Sequence, residues 1–152
     1  MILGVCGGLQ MLGRELRDPT GLEGGDIDGL GLLDVTTTMA PDKVTRQRSI
    51  PWGDGSIDGY EIHHGRTEPG PLAEPWLADE LGWRQGNVVG VYAHGLLDNG
   101  RYRQWFLEQL GWRGRAEDWS VAIDAAIDQV AGLVTESGWA AHLNDVTSVA
   151  GG

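Results

Sequence analysis

Two short runs along the chain are almost entirely apolar and lack the alternation of a half-exposed strand. They are "MILGV" at residues 1–5 and "NVVGVYAHG" at residues 87–95. Such runs are typical of parallel strands that are buried on both faces. After the first run, "GGLQMLGREL" places Leu9, Leu12 and Leu16 at helical spacing, and "DPTG" then breaks the pattern. The pattern therefore predicts a strand that leads directly into a helix.

The middle of the chain carries the residue types of smaller strands and turns. Residues 19–31 are rich in glycine and aspartate and predict a long loop. Thr and Val in "GLLDVTTTM" and "KVTRQRSI" predict strands, and "YEIHHGRT" predicts another after the turn "PWGDGSIDG". "TEPGPLAEP" predicts a further loop. We expect these strands to be inserted in, or added to, the main layer.

Helical spacing returns in the last third of the chain. In "DNGRYRQWFLEQLG" Asn99 is a candidate N-cap, and one side is apolar through Tyr102, Trp105, Phe106 and Leu110. The stretch "DWSVAIDAAIDQVAGLV" predicts a final helix. Its apolar stripe, which we expect to face the core, consists of Val121, Ile123, Ala126, Ile127, Val130 and Leu133. The last residues, "NDVTSVAGG", predict a frayed tail.

These elements together favour an α/β layer over a β-sandwich, because a buried strand feeds directly into a helix. A chain of 152 residues is long enough for one domain with a real core. We predict a mixed sheet with flanking helices, a domain over residues 1–143 and a disordered tail over residues 144–152.

Composition narrows the classes of partner. The 22 acidic side chains outnumber the 11 basic ones, for a formal charge of −11. Such a surface repels phosphate backbones and anionic lipid, so we expect neither nucleic acid nor a membrane as a partner. No stretch approaches the roughly 20 apolar residues that span a bilayer. One cysteine forms no internal disulfide, which favours a reducing compartment, and we expect the chain to be cytoplasmic.

That cysteine, Cys6, sits in "GVCGGLQ" between glycines. The spacing Gly4-x-Cys6-x-Gly8 is that of the nucleophile elbow, in which a strand turns sharply into a helix with the nucleophile at the apex. Glycines there, including Gly7, are expected to remove clashes. A helix N-terminus favours the thiolate, and the Gly7 N–H faces a developing oxyanion. The alternative is that Cys6 is a small buried hydrophobe.

A thiol nucleophile needs a base, and His94 is the best candidate of four histidines. It ends the second apolar run, and ligands of open parallel sheets bind beyond the carboxyl ends of strands, where Cys6 also emerges. A structural histidine is the competing interpretation. His63 and His64 lie in a strand and point to opposite faces, while His142 lies near the tail. No ligand spacing supports a metal site.

The motifs "GVCGGLQ" and "VYAHG" together resemble the elbow and histidine strand of triad-type (class I) glutamine amidotransferases. The resemblance implies a partial layer of the flavodoxin-like α/β fold. It also implies that glutamine is the substrate, Cys6 the nucleophile and His94 the general base and acid, acting through a γ-glutamyl thioester. By the same resemblance Gly7 donates to the oxyanion and Gln10 lies against bound glutamine. His64 is a candidate substrate contact, with strand structure as the alternative for it and for His63, Arg66 and Thr67.

Three further sequence segments are similar to the glutaminase domain of the cobyric acid synthase family. They are "GLGLLDVTTTMAPDKVTRQR", "GYEIHHGRT" and "YAHGLLDN". The resemblance implies a role in cobalamin biosynthesis, with ammonia delivered to carboxylates of a corrin. The chain itself is expected to bind no cofactor. ATP and Mg²⁺ are expected in a synthetase domain that this sequence lacks, since no G-x-x-x-x-G-K-[ST] motif occurs.

Departures from the family pattern leave alternatives open. Where ordinary class I members have a glutamate two residues after the histidine, this chain has Leu96, and Asp98 and Glu61 are candidates to orient His94. The family also has strands before the elbow, so we expect a fragment, a late-assigned start or half of a split enzyme, with weak or no activity alone. The alternatives are an inactive fragment or interaction subunit, an unrelated cysteine hydrolase, or a sibling glutaminase. Such siblings include the glutaminase part of cobyrinic acid a,c-diamide synthase and a glutaminase subunit that amidates peptidoglycan.

Overall fold

The computed structural model describes residues 1–116 and 119–138. Its contacts divide the chain into two units, with the boundary between Arg113 and Gly114. The strands are β1 (Ile2–Val5), β2 (Glu15–Arg17), β3 (Ile27–Asp28), β4 (Val35–Trp52), β5 (Gly55–Pro69), β6 (Glu74–Leu77), β7 (Gly82–Gln85) and β8 (Val88–Val91). The helices are α1 (Gly7–Leu12), α2 (Gly100–Gln109) and α3 (Trp119–Glu136), with a short 3-10 helix at Leu96–Asp98.

One four-stranded sheet contains both predicted apolar strands. Its order is β1-β8-β7-β6. Strands β1 and β8 are parallel neighbours, in a register that pairs Val5 with Val91, whereas β7 is antiparallel to β8 and β6 to β7. The sheet is therefore mixed. Because the two parallel strands end level with each other, the residues that follow them emerge at one edge.

A second four-stranded sheet has the order β3-β2-β4-β5. The strands predicted separately before and after Pro41 are one strand, β4, with a register irregularity between Met39 and Val44. It forms a long hairpin with β5, and the predicted turn shrinks to the residues around Gly53, which has a φ of 62°. The expected loop at residues 19–31 is present except for the two-residue strand β3.

A single hydrophobic cluster joins α1, both sheets and α2 in the first unit. Leu9, Leu33, Val35 and Val89 are fully buried within it. At one end, Trp52 near the hairpin turn meets Tyr102 and Trp105 of α2 edge-on, with ring centroids 5.3 and 5.4 Å away. These rings pack the hairpin tip against α2, a structural role for tryptophan.

The first helix is shorter than the sequence predicts. It ends at Leu12, and Leu16 lies in β2 rather than in a helix. The cause is close backbone packing: a Cβ at Gly13 would lie 2.9 Å from Val35 O, and Arg14 N–H donates to that carbonyl at 2.8 Å. The chain leaves the helix there to join the second sheet.

The last helix, α3, forms as predicted, but its stripe is not buried. Val121, Ile123, Ile127, Val130 and Leu133 are 42–66% exposed. The prediction that this stripe faces the core is therefore wrong for the described structure. The proposed tail and His142 lie outside the described residues, so the 1–143 and 144–152 boundaries stay predictions. Within the part of the chain that is described, none of the helices has the length and apolarity to cross a bilayer.

Gly29 tests the packing of the long loop against α1. A Cβ there would lie 2.1 Å from Gly13 O and 3.3 Å from Met11 O, which are rigid backbone atoms. We expect Gly29→Ala to lower the free energy of unfolding by about 1–3 kcal/mol, the usual cost of overpacking. Gly100→Ala, where nothing lies within 4 Å of the added Cβ, is the control and should be neutral or slightly stabilising. Urea unfolding followed by circular dichroism measures both, and equal stabilities would contradict the packing.

Asp18 is buried beneath the same loop and makes the stability of the fold depend on pH. Its carboxylate, on a residue 4% exposed, accepts hydrogen bonds from the N–H groups of Leu22, Glu23 and Gly25 at 2.7–3.1 Å. Burial acts to raise the pKa of Asp18, but backbone hydrogen bonds from these residues and Gly24 outweigh it and lower the pKa below the ordinary 3.8.

A carboxylate whose pKa is lower in the folded state stabilises the fold at any pH above its unfolded-state pKa. That stabilisation is lost as the pH falls through the folded-state pKa. We therefore expect Asp18→Asn to destabilise the chain at neutral pH, and the difference from wild type to shrink on acidification below pH 3.8. Unfolding curves at neutral and acid pH measure it. A difference that does not change with pH would show that the ionised carboxylate is not what holds the loop.

Candidate active site

Cys6 occupies a strained turn between β1 and α1. Its φ is 53° and its ψ is −110°, a conformation that non-glycine residues rarely adopt. Gly4 makes the turn possible, because a Cβ there would lie 2.5 Å from Leu12 Cδ1 and 2.6 Å from the Gly8 carbonyl carbon. The clash argument fails for Gly7 and Gly8, where nothing lies within 4 Å of an added Cβ. The elbow geometry predicted from the spacing is therefore present, and Gly4 alone of the three needs to be glycine for space.

Cys6 is fixed by contacts with β8 and β5. Its N–H donates to Val91 O at 2.8 Å, which extends the β1–β8 pairing by one residue. Its thiol lies 3.5 Å from Ile62 O and donates to that carbonyl. The side chain is only half-buried, unlike the fully buried hydrophobe of the alternative interpretation. Cys6 therefore lies half-buried at the carboxyl edge of the parallel pair.

His94 lies three residues beyond the end of β8, at the same edge. Its N–H donates to Tyr60 O at 2.8 Å, and it accepts from Tyr60 N–H at 3.2 Å. The imidazole stacks on the Tyr60 ring with centroids 4.9 Å apart and an interplanar angle of 7°. Its Nε2 is buried, and no described residue forms a hydrogen bond with it. The structure thus presents an unpartnered imidazole nitrogen beside the strand that contacts the thiol.

Strand β5 contacts both of these residues, at positions two residues apart. Tyr60 pairs with His94, and Ile62, two residues along, accepts from the Cys6 thiol. Among the described residues the thiol bonds to Ile62 rather than to His94. Sequence reasoning missed Tyr60, since nothing local in "DGYEIHH" indicates that it lies under a histidine 34 positions away.

Neither acidic candidate orients His94. Glu61 is buried and bonds to His63, with its Oε2 3.2 Å from Nε2 of that ring, and its other oxygen lies 3.7 Å from Arg48 Nε. Asp98 is exposed, and its backbone N–H donates to Gly95 O. Both predictions are replaced by the finding that Tyr60 holds His94 through its backbone and its ring.

A cavity of about 280 Å³ opens beside the elbow. Gly7, Gln10 and Met11 of α1 form one wall, and Ile27–Leu30 with Leu16 form the other. Gly7 is the first residue of α1, so its N–H has no partner inside the helix. The predicted oxyanion donor and the predicted substrate contact Gln10 therefore line the same cavity.

Gln10 is tied to a buried hydroxyl network behind the cavity. Its Nε2 donates to Tyr92 OH at 3.4 Å. Tyr92 OH lies 2.6 Å from Thr67 Oγ1, which lies 2.7 Å from Thr37 Oγ1. Burial raises the pKa of the Tyr92 phenol above its ordinary value of 10.0, so it stays a neutral hydroxyl. Sequence reasoning did not single out Tyr92.

The two adjacent histidines face different surroundings, as strand alternation predicts. His63 is buried, with its Nδ1 2.9 Å from Gly65 O, and it stacks on Tyr92 with centroids 3.7 Å apart. His64 Nδ1 lies 3.0 Å from Ala40 O on β4. The structure thus pairs His64 with β4 rather than with Cys6 or Gln10, and its substrate role stays a prediction. Arg66 donates to backbone carbonyls, including Asp42 O at 3.0 Å. No metal-binding cluster of His, Cys, Asp and Glu occurs in the described ranges.

Comparison with known proteins connects this geometry to a family. Cobyric acid synthase of Rhizorhabdus wittichii is 44% identical over 138 residues, covering 86% of this chain and 28% of that protein. The same-named protein of Deinococcus radiodurans is 50% identical over 114 residues, covering 70% of this chain and 24% of that protein. The chain thus spans only about 24–28% of these relatives.

A solved structure described as a glutamine amidotransferase shares the fold. It has a TM-score of 0.52 at 22% sequence identity, and the alignment covers 72% of this chain and 60% of that one. The α/β fold predicted from the sequence is confirmed. The model of the CobB/CobQ-like glutamine amidotransferase domain matches residues 1–102, from β1 and the elbow through His94 to the first turn of α2. The chain belongs to the family of CobB/CobQ-like glutamine amidotransferase domains.

Proposed function

We propose that this chain hydrolyses the side-chain amide of glutamine, with Cys6 as nucleophile and His94 as general base and acid. The observation that carries the proposal is the pairing of two features at one sheet edge. Cys6 is held at a φ of 53°, and His94 presents a buried Nε2 with no partner among the described residues. Strained backbone and an unpartnered titratable group are characteristic of catalytic sites.

In the first half-reaction the Cys6 thiol gives its proton to His94, and the sulfur attacks the amide carbon of glutamine. The resting hydrogen bond to Ile62 O breaks in this step. The carbonyl oxygen becomes an oxyanion, which the Gly7 N–H stabilises. His94 then protonates the amide nitrogen, the carbon–nitrogen bond breaks, and ammonia leaves a γ-glutamyl thioester on Cys6.

In the second half-reaction His94 takes a proton from water, whose oxygen attacks the thioester carbon. The carbon–sulfur bond breaks, glutamate leaves, and His94 returns its proton to the sulfur. The sum is glutamine and water converted to glutamate and ammonia. In each step His94 accepts or donates one proton. A ring nitrogen that has no other hydrogen-bond partner is suited to this role.

The wider role follows from the names of the relatives. As part of a cobyric acid synthase-like amidotransferase of cobalamin biosynthesis, the chain would supply ammonia for amidation of corrin carboxylates. That reaction needs ATP and Mg²⁺, which belong to the synthetase part of such a protein. The relatives' shared name supports this role. We propose a cytoplasmic location together with it.

Cys6 and His94 are tested by substitution, with azaserine as a sensitive probe. Azaserine is a glutamine analogue whose diazo carbon replaces the amide nitrogen; sulfur bonds to that carbon, which takes up a proton, and N₂ leaves. We expect Cys6→Ala to abolish labelling and glutamine hydrolysis. His94→Gln should slow both by about 100-fold or more, the usual contribution of a general base. Mass spectrometry and a glutamate assay measure the two reactions.

The matched control is His142→Gln, the same substitution at a histidine that the sequence assigns to no site. It should label at the wild-type rate. The proposal is wrong if azaserine modifies the Cys6→Ala variant, or if His94→Gln and His142→Gln label equally fast.

Tyr60 is tested as the residue that positions His94. Tyr60→Leu removes the stacked ring but keeps the backbone pairing, and we expect kcat for glutamine to fall about tenfold, since an aromatic pair contributes about 0.5–1.5 kcal/mol. Tyr60→Phe keeps the ring and should retain nearly all of the wild-type kcat. Steady-state kinetics measure both variants. A kcat for Tyr60→Leu equal to that of Tyr60→Phe would show that stacking does not position the imidazole.

A further inference from the structure

Tyr92 lies at the point where the two sheets and α1 meet. It is the first residue after β8 and is 2% exposed. Its hydroxyl reaches Gln10 of α1 and Thr67 of β5, and through Thr67 it reaches Thr37 of β4. One buried hydroxyl therefore links the helix of the elbow to the second sheet.

The space around this hydroxyl depends on Gly65 in the middle of β5. A Cβ at this position would lie 2.5 Å from Gln10 Nε2, 2.6 Å from Tyr92 OH and 2.7 Å from Thr37 Cγ2. Glycine inside a strand is unfavourable unless another group approaches closely. Its presence here is explained by the meeting of the Gln10 amide and the Tyr92 hydroxyl.

The Tyr92 ring is held from behind by His63. The two rings stack with an interplanar angle of 16°. Gly65 O and the Glu61 carboxylate fix the two ring nitrogens of His63, at 2.9 and 3.2 Å. Because both nitrogens are engaged, the imidazole does not rotate freely, and Tyr92 keeps its hydroxyl in place.

This arrangement determines which end of the Gln10 amide faces the cavity. An amide NH₂ only donates hydrogen bonds and an amide oxygen only accepts them. Since Nε2 is directed to Tyr92, the oxygen Oε1 is left without a partner among the described residues, and it is not a buried atom. An acceptor at this wall of the cavity suits an N–H of glutamine, from its carboxamide or its α-ammonium group.

We propose that Tyr92 is a positioning residue that holds the Gln10 amide with its oxygen toward the substrate cavity. The inference rests on the proposed glutaminase function and deepens it, because it says how glutamine is recognised. Tyr92 does not touch the reacting atoms. Its removal should therefore weaken the binding of glutamine and leave the reactivity of the thiol unchanged.

The experiment compares wild type, Tyr92→Phe and Gln10→Ala in the full chain. The first measurement is the glutamine concentration that halves azaserine labelling of Cys6. Tyr92→Phe should raise it about threefold to tenfold, the usual effect of losing one hydrogen bond. The second is the rate of alkylation by iodoacetamide without glutamine, which should stay at the wild-type value in Tyr92→Phe.

A double variant tests whether Tyr92 acts through Gln10. In the Gln10→Ala background, Tyr92→Phe should cause no further loss of protection, since coupled residues are not additive. Repeating the titration with glutaramate, which is glutamine without its α-amino group, identifies the N–H donor. The effect of Tyr92→Phe persists with glutaramate if the carboxamide donates, and it disappears if the α-ammonium group donates.

Tyr102→Phe is the matched control. Tyr102 is 1% exposed, and its hydroxyl accepts from Trp76 Nε1 at 3.4 Å, away from Gln10. In this variant, the glutamine concentration that halves azaserine labelling should equal that of the wild type. The inference is overturned if wild type is protected but Tyr92→Phe needs no more glutamine, or if the two substitutions are additive. A wild-type chain that azaserine does not label would instead overturn the glutaminase function itself.

Discussion

The site depends on the tight turn that β1 makes into α1 at Cys6. A non-glycine residue at a φ of 53° is unfavourable by about 1–3 kcal/mol, so neighbouring contacts must hold it there. Gly4 allows α1 to lie directly against β1, and the Cys6 N–H is fixed on Val91 O. The same turn places the thiol at the sheet edge and makes Gly7 the first residue of α1, so that its N–H has no partner inside that helix. The turn therefore places Cys6 next to Gly7, which lines the cavity.

Strand β5 is the second element that the site needs. Along eight residues of one strand, Tyr60 stacks on His94, Ile62 accepts from the Cys6 thiol, and Thr67 bonds to Tyr92. The hairpin that carries β5 is long because it must reach from the aromatic contacts of α2 to the end of β8. A hairpin that the sequence predicts as an addition to the main layer therefore contacts both candidate catalytic residues.

The sequence predicted best what depends on local pattern. The two apolar runs, the elbow at Cys6 and the emergence of His94 at the same edge all follow from neighbours in the chain, and the structure contains them. Leu16 was assigned to the wrong element because contacts between Gly13 and Val35, 22 positions apart, end the helix early. Tyr60 and Tyr92 were missed for the same reason, since only tertiary structure brings them to His94 and Gln10. The apolar stripe of α3 shows that periodicity predicts a helix without saying what covers it.

The central claim is that the amide of glutamine is cleaved through a thioester on Cys6. The most direct test is to quench the protein with acid during turnover of glutamine and to measure its intact mass, with peptide mapping of any adduct. The account predicts a γ-glutamyl adduct on Cys6 that hydroxylamine releases as the hydroxamate and that forms more slowly in the His94→Ala variant, because His94 also takes the thiol proton in the acylation step. Glutamate formation by a protein that carries no adduct on Cys6 at any time of quenching would contradict it.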